Sequence, residues 1–257
     1  AVIELRMNAP RAKASAQAQA PHAAPRVVFS DTQVLVVSKP SGLNSVPFED
    51  EPGPSLEKWA CAHLKQPKVH IVQRLDRETS GLMVLARTAE AGRALAQQFR
   101  FRDVHRRYLA IVQGDAQART IRSVLLDNRG DGLRGSRPEG SPIASHLGKE
   151  AVTHVRVVAR LEGSTLVECE LESGRTHQIR IHLSEAGHPL LGERAYIREF
   201  RGETLPAPRI MLHAAELGFN HPTRGQSMQW RERPPEDFLR LLTPHARELV
   251  TAPATRS

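Results

Sequence analysis

The chain has 257 residues, 40% of them apolar and 25% charged, and its 36 Lys and Arg exceed its 28 Asp and Glu for a formal net charge of +8. That length suits one large α/β or α+β unit, and no run approaches the ~18 apolar residues of a membrane span. Two distant cysteines, Cys61 and Cys169, make neither a disulfide framework nor a zinc knuckle, while the basic excess favours an anionic partner, nucleic acid first.

Residues 1–25 are rich in Ala, Pro and Gln without apolar periodicity, which predicts a disordered tail. Order is expected from Arg26. RVVF (26–29) and VLVVSK (34–39) read as β-branched strands around the turn Ser30-Asp31-Thr32, and KPSG (39–42) stops the second. Ser55 is placed to cap a helix to about Lys65, with Leu56, Trp59, Ala60 and Leu64 as its apolar stripe. HIVQRLD (70–76) predicts a strand running into a turn, and GLMVLAR (81–87) another strand. Thr88 caps a helix from Ala89 to about Phe101. RRYLAIV (106–112) is extended.

The Gly- and Pro-rich stretch 127–148 reads as a long excursion, a specificity loop or a plain surface loop. THVRVVARL (153–161) and TLVECEL (165–171) form a hairpin around Glu162-Gly163-Ser164. THQIRIHLSEAG (176–187) is helical, with Thr176 as cap and Gly187 as stop. IMLHAAELGF (210–219) is extended, and 235–242 a short closing helix. Many strands with few helices and no steady βαβα rhythm predict an α+β fold on a mixed, mostly antiparallel sheet. The boundaries expected are a tail over 1–25, one catalytic domain over 26–245 and a C-terminal tail over 246–257.

Three segments carry chemistry. In RLDRETSG (74–81), Asp76 ends an extended run beside turn-forming residues and shares a face with Arg74. An Asp there also bonds its own turn amides, and on this segment alone that reading stands ahead. In SGRTHQIRIH (173–182), Arg175, His177, Gln178, Arg180 and His182 crowd strong donors at a helix start that suits an anion. A solvated basic face is the ordinary fate of such a run, but Ile179, Ile181 and Leu183 do not fall on one stripe, so some of these polar groups are buried and need partners. Around 93–107, Arg93, Arg100, Arg102, Arg106 and Arg107 lead into Tyr108, as suits phosphates on guanidinium groups and a base on the ring. The alternative there is an amphipathic helix with a basic outer face. The histidines show no HExxH, and neither cysteine has a ligand at zinc spacing, so no metal site is expected; phosphate-loop and GxSxG signatures are also missing.

Together VVSKPSGL (36–43), RLDRETSGL (74–82), YLA (108–110), GRTHQIRIH (174–182), GHPLLGE (187–193), MLHA (211–214) and HP (221–222) resemble, in order, the RluA-type pseudouridine synthase family. The resemblance spans roughly 27–240 and reverses the lean on Asp76. Two positions depart from the family pattern: Gln73 stands where His is usual, and Glu193 where Asp is usual.

The resemblance implies the pseudouridine synthase fold, with flanking helices and a central catalytic cleft. It implies isomerisation of uridine in ribosomal or transfer RNA, with no cofactor and no metal. Asp76 is then the essential carboxylate, as nucleophile or as base, and Arg180 its partner in a charge-assisted pair. Tyr108 stacks on the uracil, Arg74 displaces the target nucleotide from its helix, and Leu212 packs against the base. Arg175, His177 and Gln178 are expected to bind substrate. The residues before the first strand leave no room for the small N-terminal RNA-binding domain of some relatives, so docking is expected to fall to the catalytic domain. A cytoplasmic monomer is expected, with no membrane and no obligate protein partner. Two other classes compete with it: an inactive RNA-binding or ribosome-assembly factor on the same fold, and a glycosidase-like carboxylate pair of Asp76 with Glu78, which needs two carboxyls ~5 Å apart.

Overall fold

The computed structural model describes residues 23–47, 53–129, 131–137 and 147–252. Its strands are β1 (Arg26–Ser30), β2 (Val34–Lys39), β3 (His70–Ile71), β4 (Ser80–Ala86), β5 (His105–Gln113), β6 (Arg119–Leu126), β7 (Gly135–Ser136), β8 (Lys149–Leu161), β9 (Ser164–Leu171), β10 (Leu212–Asn220) and β11 (Ser227–Arg231). Its helices are α1 (Leu56–Leu64), α2 (Ala89–Phe101), α3 (Gln178–Glu185), α4 (Glu236–Leu239) and α5 (Pro244–Thr251). The strands join one sheet in the order β1-β2-β4-β10-β5-β9-β8-β6-β7, with β3 on β4 and β11 on β10. Among the described strands every pairing is antiparallel except β4 with β10. The α+β reading holds.

Alternation along the strands sorts side chains onto two faces. Leu35 and Val37 of β2, Met83 and Leu85 of β4, and Tyr108 and Ala110 of β5 face a core closed by Leu56 and Ala60 of α1 and by Ile179 and Leu183 of α3. Their neighbours Val34, Val36 and Val84 pack with Ala91 and Leu95 of α2. Leu109 and Ile111 pack with Phe238 and Leu239 of α4 and Val250 of α5. The parallel contact of β4 with β10 places the starts of both strands side by side. Gly81 makes it possible: its φ is +115°, and a Cβ there would lie 2.2 Å from the Ala214 carbonyl oxygen.

Ser55 and Thr88 cap α1 and α2 as expected, accepting from the amides of Lys58 and Ala91. Several expectations need correction. The strand over 70–76 stops at Ile71, because the Leu75 amide donates to the Ser45 hydroxyl, which itself donates to the Leu75 carbonyl, and the chain turns with the Thr79 amide on the Asp76 carbonyl. Thr176 does not cap α3. The helix starts at Gln178 after His177, held in the left-handed region at φ 58° and giving no side-chain cap. The closing helix is shorter than 235–242, and a second one follows: α5 runs through the boundary at 246, begun by Pro244 and capped by Thr243, and buries Ala246 and Val250. Three strands go beyond the expected elements: β6, whose partial exposure leaves only a weak alternation, β7, which lies inside the excursion, and β11, which pairs with β10. The rest of that excursion, at 130 and 138–146, and the tail over 1–22 lie outside the described residues.

Candidate active site

A cleft of about 320 Å³ opens where the 72–79 segment, the end of α2, β5, the start of β10 and the 174–180 segment meet. All eight residues to which the resemblance gives a role line it: Asp76, Arg180, Tyr108, Arg74, Leu212, Arg175, His177 and Gln178. Its charged lining is five arginines (74, 100, 106, 175 and 180) and a single carboxylate, Asp76. A low-dielectric cleft of that sign draws in a polyanion.

Asp76 sits on the turn after Leu75, with its side chain 26% exposed, so an incoming group can reach it. Arg180 Nη1 lies 3.6 Å from one carboxylate oxygen and His177 Nε2 3.8 Å from the other. At these lengths the contacts are electrostatic rather than hydrogen-bonded, and the oxygens keep free lone pairs. The tight clamp on Arg180 comes from elsewhere. Its Nε and Nη2 donate to the two oxygens of Glu193 at 2.8 and 2.9 Å, and Glu193 is fully buried. Glu193 also accepts the amides of Arg194, Ala195 and Tyr196. Burial alone would raise the Glu193 carboxyl pKa, but Arg180 and these amides hold it below the usual range. Glu193, one of the two departures from the family pattern, thus fixes the guanidinium with one nitrogen left facing Asp76.

His177 Nδ1 lies 2.7 Å from the Tyr196 hydroxyl, and the Arg180 guanidinium stacks 5.2 Å over the Tyr196 ring. Burial, the largest influence, and the Arg180 charge lower the His177 pKa against the pull of Asp76, so the imidazole stays neutral at pH 7. A non-glycine residue in the left-handed region stores strain of ~1–2 kcal/mol. Tyr108 is buried with its ring in the cleft wall, and burial pushes its phenol pKa up, so it stays protonated. Leu212 adds an apolar surface, while Arg74 is exposed at the rim. Arg175 donates to the Glu150 carbonyl.

Gln178 differs from its expectation. Its Oε1 accepts from the Ser173 hydroxyl and the Arg175 amide, and its Nε2 donates to the Val152 carbonyl and Thr153 Oγ1. With every polar atom engaged inside the protein, it shapes the 173–178 turn and offers nothing to substrate. Glu78, the second acid of the hydrolase reading, does not line the cleft; its Oε2 accepts the Ile210 amide.

Sequence reasoning missed the supports. Buried Lys39 donates to the carbonyls of Pro40, Leu43 and Arg77, tying the Lys-Pro-Ser-Gly turn to the loop that carries Asp76. Burial lowers its pKa to about 7. Arg209 clamps Asp237 and donates to the Glu78 carbonyl and the Ser80 hydroxyl, and Ser80 Oγ lies 3.0 Å from His213 Nδ1. The signals existed, as Lys39 and His213 stand inside quoted motifs, but partners 38 and 133 residues away are set only by the fold.

The RNA pseudouridylate synthase family model matches residues 33–185, which hold Asp76, Tyr108 and Arg180. The chain is 38% identical over 231 residues to ribosomal large subunit pseudouridine synthase D of Pseudomonas aeruginosa, covering 84% of this chain and 70% of that protein. It is 36% identical to the protein of the same name from Zymomonas mobilis, over 82% and 70% of the two. In fold it matches human RNA pseudouridylate synthase domain containing 4 with a TM-score of 0.66 and 24% identity, over 87% of this chain and 93% of that one. With the motifs folded into one cleft and relatives matched along most of its length, the chain belongs to the RNA pseudouridylate synthase family and is an RNA pseudouridine synthase, an isomerase.

Proposed function

We propose that the protein isomerises one or a few uridines of large-subunit ribosomal RNA, with Asp76 as the essential carboxylate. In this reaction the N1–C1′ bond of uridine breaks, the uracil turns over, and C5 bonds to C1′. The C5 hydrogen leaves as a proton and N1 gains one, so atoms and charge balance without a redox partner. The observation that carries the reading is the Asp76 carboxylate, reachable from the cleft and 3.6 Å from a guanidinium that Glu193 holds still. Such an arrangement orients a carboxylate yet leaves it free to act on the sugar, either by attack or by proton removal.

A uridine inside a helix cannot reach this cleft, so the nucleotide is flipped out, at a cost of a few kcal/mol that loops and bulges reduce. Tyr108 stacks on the extruded uracil, Leu212 packs on it, and Arg74 at the rim fills the vacated position. Arg175 and His177 contact the RNA, while Gln178 acts only through the turn it holds. The protein works as a monomer in the cytoplasm without a protein partner. The ribosomal target is supported by the names of the relatives in P. aeruginosa and Z. mobilis. Chemical mapping of pseudouridine in cells with and without the gene tests it. Loss of modification at large-subunit positions is the expected result, and loss confined to transfer RNA contradicts it.

A further inference from the structure

Three arginines among the described residues are less than a tenth exposed: Arg106, Arg180 and Arg209. A buried cation is costly unless a partner offsets its lost hydration. Arg180 has both oxygens of Glu193, and Arg209 both oxygens of Asp237. Arg106 has neither: its Nε is buried without an acceptor, and no carboxylate offsets the desolvation that lowers its pKa. Its neighbour Arg107 also has a buried Nε without a hydrogen bond, but that guanidinium is paired with Glu168 and Glu216.

What holds Arg106 is shape. Its guanidinium stands 5.5 Å over the Phe99 ring, a weak attraction beside a carboxylate. A Cβ at Gly174 would fall 2.6 Å from Arg106 Nη1, and Gly174 lies outside the left-handed region. The glycine of the Ser-Gly-Arg-Thr segment thus serves as the seat of this guanidinium. Arg106 and Tyr108 are two apart on β5, so they share a face about 7 Å apart, and both line the cleft. That spacing is comparable to the reach from a pyrimidine ring to its own phosphate. A second buried donor without an acceptor, Gln73 Nε2, belongs to a residue that lines the same cleft. Donors without acceptors call for an acceptor from outside, and a guanidinium fork calls for an anion that accepts at two points.

We propose that Arg106 binds a phosphodiester of the substrate RNA, the one belonging to the nucleotide whose base lies on Tyr108. The proposal rests on the cleft being the uridine site. The protein carries an unpaired buried charge at a cost to its own stability, and the RNA supplies the missing partner.

The experiment compares Arg106→Met and Arg106→Lys, each in an Asp76→Asn background that leaves substrate unconverted. Binding to an unmodified large-subunit ribosomal RNA transcript and to poly(U) is followed across KCl concentrations, with thermal midpoints taken without RNA. For Arg106→Met we expect binding weaker by about ten- to a hundredfold and a log Kd against log salt slope shallower by about 0.7, one single-strand phosphate. Its midpoint should match or exceed that of the parent. Arg106→Lys should keep the slope and lose part of the affinity. Weaker binding with an unchanged slope would overturn the phosphate assignment in favour of a base or sugar contact. A lowered midpoint with unchanged RNA binding would make Arg106 purely structural. A parent that binds the transcript no better than poly(U) would count against the ribosomal target, while the slope comparison on poly(U) still reads Arg106.

Discussion

The segment Leu75–Ser80 has two sides, and they are built differently. Behind it every polar group named here is engaged at hydrogen-bond distance: Ser45 on Leu75, Lys39 on Arg77, Ser41 and Arg209 on Glu78, and His213 on Ser80. In front, Asp76 has only contacts of 3.6 and 3.8 Å, and Arg106 has no acceptor. A closed back holds the carboxylate in place, and an open front leaves its lone pairs, and a cation beside them, for an incoming molecule. This is the division that precise positioning of a reactive group requires.

The contrast breaks most severely at Arg180, which serves both sides. Arg180→Ala removes the partner of Asp76 and leaves Glu193 buried and unpaired. Turnover should fall about a hundred- to a thousandfold, and stability by about 3–5 kcal/mol in urea titrations. A variant that loses stability but keeps turnover would confine Arg180 to packing. The next largest effect is acid sensitivity of the supports. Burial lowers the pKa values of His182, on the buried face of α3, and His213, behind Ser80, to about 4 from 6.5. The unfolded chain takes up these protons near pH 6.5 and the native chain only near 4. Stability is therefore intact above pH 6.5 and falls as pH drops from 6.5 to 4, by on the order of 3 kcal/mol per histidine. Urea midpoints at pH 7, 5.5 and 4.5 check this, and removing either histidine should flatten the dependence.

Smaller effects sharpen the contrast from the rear. Arg209→Met should cost about 2 kcal/mol in stability while leaving RNA affinity within experimental error, since its contacts all lie behind the loop. A matching loss of affinity in a folded variant would erase the distinction between the two sides. Ser45→Ala, which leaves both the amide and the carbonyl of Leu75 without their partner, should cost about 1 kcal/mol, read as a small midpoint shift.

Legibility followed the range of each interaction. Ser55 and Thr88 were readable as caps because the bond they make is to an amide three residues on. The strands of the core were readable from their β-branched runs, and β6 was not, since a strand that is exposed or half-buried over its first six residues carries little alternation. Asp76 was ambiguous by itself and gained meaning from companions far along the chain. Glu193 stood out as a departure, but its role depends on the fold bringing it to Arg180. Gln178 was misread because a donor-rich side chain looks the same in sequence whether its bonds go to a ligand or to its own turn. Arg106 was one arginine in a basic run; its lack of a partner exists only once Phe99 and Gly174 close around it.

The central claim is that the carboxylate of Asp76 performs the isomerisation in this cleft. Release of tritium from RNA labelled at uracil C5 measures it most directly, because the C5 hydrogen leaves in every turnover. With Asp76→Asn, release should stop, a loss beyond about a thousandfold, while the unfolding midpoint and RNA affinity stay close to those of the parent. Continued release by folded Asp76→Asn protein would contradict the account.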